Sequence, residues 1–234
     1  MNAAFTAHPD FAQVEADQLV LTVNQRFPIF YDEKRPFFLE GIDTFQTPIS
    51  IVHTRTIVAP DAAVKLTGKQ GHTTLGALFA ADGAAKAAFR LKRDVGRESS
   101  VGATLTEIHD GAPFSNLVSA DARVRVNDQT VLTAQVVGTF ARMPFRDAAL
   151  GGTPQRYGQG LAYYAKIERR GRHALTAVTS SGSSPDYRAD LGFTRRVNTN
   201  VISVQTTYNS EPRPDARWIS WSATNIALAL ANFR

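Results

Sequence analysis

The sequence contains no cysteine. That excludes disulfides, thiolate catalysis and cysteine-ligated metal. No apolar run approaches the roughly 18 residues that a membrane-spanning helix needs. Barrel strands escape that test, because they carry apolar side chains only at alternate positions. Residues 1–10 have neither a basic stretch nor an apolar one, so they do not read as a signal peptide. Also missing are a Gly-x-Ser-x-Gly elbow, a His-Glu-x-x-His pair and a phosphate-binding glycine loop. His8, His53, His72, His109 and His173 are scattered without ligand spacing. Residues 180–184, rich in serine, read as a loop and not as a nucleophile. The sequence therefore offers no catalytic residue, no cofactor site and no metal site.

What is present is a chain of 234 residues, 43% apolar, long enough to bury a core and not disordered by composition. The net charge is +5 and the pI about 9.7. No nucleic-acid motif accompanies that charge, so it reads as a basic surface or lumen and implies no nucleic-acid partner.

The most regular stretch begins at Val118. Val118, Ala120, Ala122, Val124 and Val126 share one face, and Ser119, Asp121, Arg123 and Arg125 the other. Period two marks a strand with one apolar and one polar side. Asn127-Asp128-Gln129 signals a turn, and Leu132, Ala134, Val136 and Phe140 resume the alternation against Thr133, Gln135 and Thr139. Shorter versions run through residues 63–69, 73–81, 86–94, 101–106, 161–168 and 173–181. Residues 191–195, 199–208 and 218–230 are further strand candidates. The spacing predicts about ten antiparallel strands.

Residues 1–60 differ. Asp10, Glu15 and Asp17 form the only dense carboxylate cluster, whose spacing is not that of a calcium loop. Residues 18–24 read as a short strand. Glu33, Lys34, Arg35, Phe37, Phe38, Glu40 and Gly41 then interleave rings and charges between and after Pro28 and Pro36. The prolines oppose a long helix or central strand, and the block reads as a plug that packs its rings and exposes its charges.

Two architectures accommodate such strands. A sandwich packs the apolar faces together; a membrane barrel turns them to lipid and lines a lumen with the polar rows. Long strands, alternately tight and long turns, and apolar faces rich in Ala, Val and Leu favour the barrel. The expected fold is thus all-β: an antiparallel meander of long strands, a partial or open outer-membrane β-barrel, with residues 1–60 an irregular plug-like or periplasmic segment and residues 61–234 the barrel strands. Lys65, Arg90, Lys92, Asp94, Asp121, Arg123 and Arg125 are the expected lumen-facing residues. They either set an anion-favouring lumen or pair across strands and hold the N-terminal block.

Two N-terminal motifs add a resemblance. Pro9-Asp10-Phe11-Ala12-Gln13-Val14-Glu15-Ala16-Asp17 and Glu33-Lys34-Arg35-Pro36-Phe37-Phe38-Leu39-Glu40-Gly41 resemble those of a family of large bacterial surface proteins known only as domain of unknown function 5916. Lys65-Leu66-Thr67-Gly68, Arg90-Leu91-Lys92-Arg93-Asp94 and Asp190-Leu191-Gly192-Phe193-Thr194-Arg195-Arg196 are similar to its later landmarks. Thr54-Arg55-Thr56-Ile57-Val58 stands where the family shows a Ser-Arg-Arg-Ile-Gly-like stretch. The resemblance implies a signal peptide and a module similar to family 9 carbohydrate-binding domains, followed by an outer-membrane barrel of which this chain is the first part. It implies membrane lipid as partner and a glycan reached through a module absent from this chain. Some relatives are labelled hydrolases, but no residue here justifies that label, and the expected role is a non-catalytic one in anchoring or uptake. The alternatives are a soluble secreted carbohydrate-binding sandwich and a membrane-associated hydrolase. The latter needs a cleft gathering Asp10, Glu15, Asp17 or Glu40.

Overall fold

The computed structural model of the protein describes residues 1–7, 30–144, 155–215 and 217–233. The alternating residues form eleven strands in chain order: β1 (Asn2–Ala7), β2 (Ala62–Gln70), β3 (Thr73–Asp82), β4 (Ala84–Asp94), β5 (Ser100–His109), β6 (Phe114–Arg125), β7 (Thr130–Pro144), β8 (Gln155–Arg170), β9 (Ala174–Ser183), β10 (Thr199–Asn209) and β11 (Ser222–Ala231). They make one antiparallel sheet in which every strand pairs with its sequence neighbours. Among the described residues β1 pairs only with β2 and β11 only with β10, so the sheet is an open meander. Gly83, at a φ of +65° that other residues rarely adopt, closes the tight turn from β3 to β4.

The register settles the faces, because directly opposed residues in an antiparallel pair share a side. Val118 opposes Leu105 and Gly138; Leu105 in turn opposes Phe89. These lie on a bare face. Phe89, Leu105, Val118, Val136, Leu161 and Ile167 are 40–54% exposed there. The other face is covered. Lys65, Leu78, Arg90, Thr104, Ser119, Gln135 and Val137 are buried on it.

The cover comes from the chain itself. Residues 30–61, with one short helix, α1 (Pro36–Leu39), and two 3-10 turns, pack on β2 to β4 around Phe38, Phe45, Ile57, Leu78, Ala88 and Leu191. The connection between β9 and β10 folds back as well. Its Tyr187 and Ala189 pack with Ile51, Leu117, Val137 and Ala162. The two covering segments touch backbone to backbone: the His53 amide donates to Leu191 O at 2.7 Å and the Phe193 amide to Ser50 O at 2.8 Å. A Cβ on Gly192 would lie 2.3 Å from Ser50 O, so only glycine permits this approach.

Several expectations need adjustment. Residues 191–195 are not a strand: the Gly192 amide turns back to Ala189 O, and Leu191 is buried as a core residue beneath the first covering segment. The apparent alternation there is one buried leucine beside one ring. The last strand begins at Ser222, not at Trp218. Asn2–Ala7, inside the segment read as irregular, pair with β2. The short strand read at residues 18–24 lies outside the described residues.

Candidate functional site

The polar chemistry of the chain is concentrated between the sheet and its cover. Arg35 is the most buried charge, at 1% exposure. Its Nη2 donates to Glu33 Oε2 and to Thr54 O, each at 2.8 Å, its Nε to Glu33 Oε1 at 2.8 Å, and its Nη1 to Ile57 O at 2.6 Å. The guanidinium also lies 4.3 Å from the centre of the Phe38 ring. The block was expected to expose its charges; it buries this pair, because the planar fork of arginine satisfies a carboxylate and two carbonyls at once. Phe38 is buried as expected, Phe37 lies half-buried edge-on to it at 5.0 Å, and Lys34 is exposed.

Burial alone would raise the Glu33 pKa. The hydrogen bonds from Arg35 and Thr54 more than offset that and lower it to about 2. A carboxyl depressed in the fold contributes stability that is present above its unfolded value, near 4.5, and is lost as pH falls toward 2. The gap corresponds to roughly 3 kcal/mol. Acid titration of the folded chain is therefore expected to loosen the first covering segment between about pH 4.5 and 2. Limited proteolysis of residues 30–60 across that range checks it, and in Glu33→Gln the acid-induced step should vanish.

Lys65, on β2, donates to the carbonyls of Phe37 and Glu40 and so fixes the end of α1. Gly41 follows at a φ of +69°, where a Cβ would meet Thr67 Oγ1 at 2.7 Å. Glu40 accepts from Asn2 of β1. Arg90 reaches across β5 to Asp121 on β6 and donates to Thr104 Oγ1 at 2.9 Å on the way. Its guanidinium passes over Gly102, where a Cβ would lie 2.7 Å from Nη2. Gln135 accepts from the Ile49 amide at 2.6 Å and donates to Ser119 Oγ at 3.0 Å. Asp190 accepts from Ser115 Oγ at 2.6 Å and from Arg188 at 2.6 Å.

All seven residues read as lumen-facing fall on the covered face by register. They divide into two groups. Lys65, Arg90 and Asp121 are buried or nearly so, and bind the cover or one another. Lys92, Asp94, Arg123 and Arg125 sit toward the rim, where Asp94 pairs with Lys69 at 2.6 Å and Arg125 pairs with Glu98 and Asp128. Asp10, Glu15 and Asp17 lie outside the described residues. Glu33, Asp121 and Asp190 are each held by an arginine, so none of them is a free acid or base facing a cleft. Among the described residues no group of three His, Asp or Glu is placed to hold a metal ion.

The bare face has an order that the strand readings did not show. At one end of the sheet its apolar rows stop at rings: His109 stacks on Phe114 at 6.3 Å, Phe114 lies 6.3 Å from Tyr157, and the Arg142 guanidinium lies 5.5 Å from the Tyr157 ring. At the other end the row of Phe89 and Leu91 stops at Arg93, that of Leu161 and Ile167 at Arg169, and that of Ile202 and Val204 at Tyr208 and Trp221. The rings and cations come from different hairpins, so only the register aligns them.

No curated protein matches the chain. The model of a family described as a domain of unknown function, DUF5916, matches residues 2–65, from β1 through the buried Arg35 block to Lys65 on β2. Over that stretch, which runs from β1 through the first covering segment to the start of β2, the chain is similar to the DUF5916 family.

Proposed function

We propose that this chain is a non-catalytic segment of an outer-membrane β-barrel, with lipid against the bare face and its own chain filling the covered one. The bare face carries the reading. Half-exposed Val, Leu, Ile and Phe side chains run across β2 to β10 between two rows of rings and cations. Apolar bands flanked by aromatic girdles are how outer-membrane barrels meet lipid. In water such a band leaves each large side chain short of its burial energy, about 1.5–3 kcal/mol when complete. No helix among the described residues is long and apolar enough to cross a membrane, a test that does not bear on strands.

The filled covered face favours an anchor over an open passage. Lys65, Arg90 and Asp121, in the middle of that face, are engaged by the cover or by each other and are not free to line a path for solutes. A link to glycans comes to this chain through its family resemblance, as a role for the parent protein.

Partition tests the reading. Residues 1–234 are expected to show strand circular dichroism and to stay soluble only with detergent micelles or bilayers. A monomer that folds cooperatively in plain buffer would overturn it, and the soluble sandwich or an enzyme would replace it.

A further inference from the structure

Where β10 passes into β11, a recess of about 690 Å³ is lined by His173, Tyr208, Ser210, Glu211, Arg213, Arg217, Trp218 and Trp221. Its walls are ordered by backbone bonds: the Ser210 amide donates to Trp221 O at 2.9 Å and the Arg213 amide to Ile219 O at 2.7 Å. Three rings form a shallow stair, His173 to Tyr208 at 6.1 Å and 31°, then Tyr208 to Trp221 at 5.2 Å and 34°. Trp218 is 72% exposed beside them.

Charge is uneven here. Arg172 takes Glu211 at 2.5 Å, and His173 lies 3.5 Å from the same carboxylate. Arg213 and Arg217 have no carboxylate partner among the described residues. The position matters as much as the charge. Tyr208 opposes Ala223 and continues the bare-face row of Ile202, Val204 and Thr206, so the recess opens where the apolar band ends. Arg93 on β4 and Arg169 on β8 end their rows at the same side of the sheet.

We propose that this recess binds the phosphate of an anionic glycerophospholipid headgroup, with Arg213 and Arg217 on the phosphate and Tyr208, Trp218 and Trp221 against the glycerol and upper acyl chain. Guanidinium forks suit phosphate oxygens. Trp and Tyr place an apolar body and a polar tip at the level of lipid headgroups. The proposal rests on the membrane reading above, but it can fail while that reading stands.

The chain supplies its own reporter, since its two tryptophans, Trp218 and Trp221, are both in the recess. The full chain is reconstituted into vesicles of phosphatidylcholine alone and of phosphatidylcholine with increasing phosphatidylglycerol. Tryptophan emission, quenching by lipids brominated near the headgroup, and strand circular dichroism are followed together. The expected result is a saturable blue shift with phosphatidylglycerol that soluble glycerol phosphate does not compete away. Arg213→Gln with Arg217→Gln should weaken it roughly tenfold or more, with the strand signal unchanged. Arg97→Gln, at another turn on the same end, should change it clearly less than the double variant, by at most the about fivefold of a single charge near the surface. Equal emission in both vesicle types, equal loss in Arg97→Gln, or competition by glycerol phosphate would overturn the lipid site. If strand signal persists in every bilayer in those cases, only the recess proposal falls. If no bilayer yields strands, the membrane reading falls with it.

Discussion

Arg35→Ala is expected to detach the first covering segment from the sheet at a cost of about 3–5 kcal/mol, the range for breaking a buried ion pair. The change removes the Arg35 guanidinium from Glu33 and strips the Ile57 carbonyl of its donor, while the Thr54 carbonyl keeps the Ile57 amide. Each group left buried without a partner costs about 1–3 kcal/mol, more when charged. It also removes the face on which Phe38 lies. Arg35→Lys should recover only part of the loss, because an ammonium cannot reproduce the fork. The measurements are denaturant unfolding in micelles and the rate of proteolysis within residues 30–60. The strands should persist in Arg35→Ala while residues 30–60 become cleavable. Unchanged protection would show that the apolar cluster holds the cover unaided.

The second large effect concerns Arg90 and Asp121. Arg90→Ala or Asp121→Ala alone should cost about 3–5 kcal/mol, because either leaves one charge unpaired between the sheet and its cover. Replacing both by leucine should cost less than either single change, since buried ion pairs are often matched by apolar pairs of similar volume. The interaction spans three strands, with the guanidinium over Gly102 of the middle one. Filling Gly102 with alanine should therefore mimic loss of Arg90, by pushing the guanidinium out of line. If the four stabilities in the double-mutant cycle add without coupling, the pair has no structural role.

Much of the sheet was legible because period two is a local signal. Val118 to Val126 and their turn at Asn127 needed only neighbouring residues to be read, and the register aligned them as expected. What lay on the polar face was not local. Nothing around Arg35 announces that Thr54 and Ile57 will present their carbonyls to it, so a charged, proline-flanked block read as exposed. Leu191 and Phe193 imitated a strand because alternation in five residues does not distinguish a ladder from a coil pressed against another coil. Gly192 carried the missing information: its close approach to Ser50 needs a partner about 140 residues away in sequence. The recess at Trp218 and Trp221 was read as part of a strand, since β propensity of tryptophan is the same in a ladder as at its end.

The contacts of Ser50 and His53 with Phe193 and Leu191 have a kinetic consequence. Every strand pairs with its sequence neighbours, and from β2 to β9 most of the connections are short, so that part of the sheet can zip hairpin by hairpin. The cover is a chord across that zipper. It ties the region before β2 to the connection after β9, and it cannot form until the strands between have brought those points together. Loop entropy thus places the closure of the two covering segments on each other last. The strands would pair while the two covering segments are still apart, and the seam between residues 50–53 and residues 191–193 would close only in the final step.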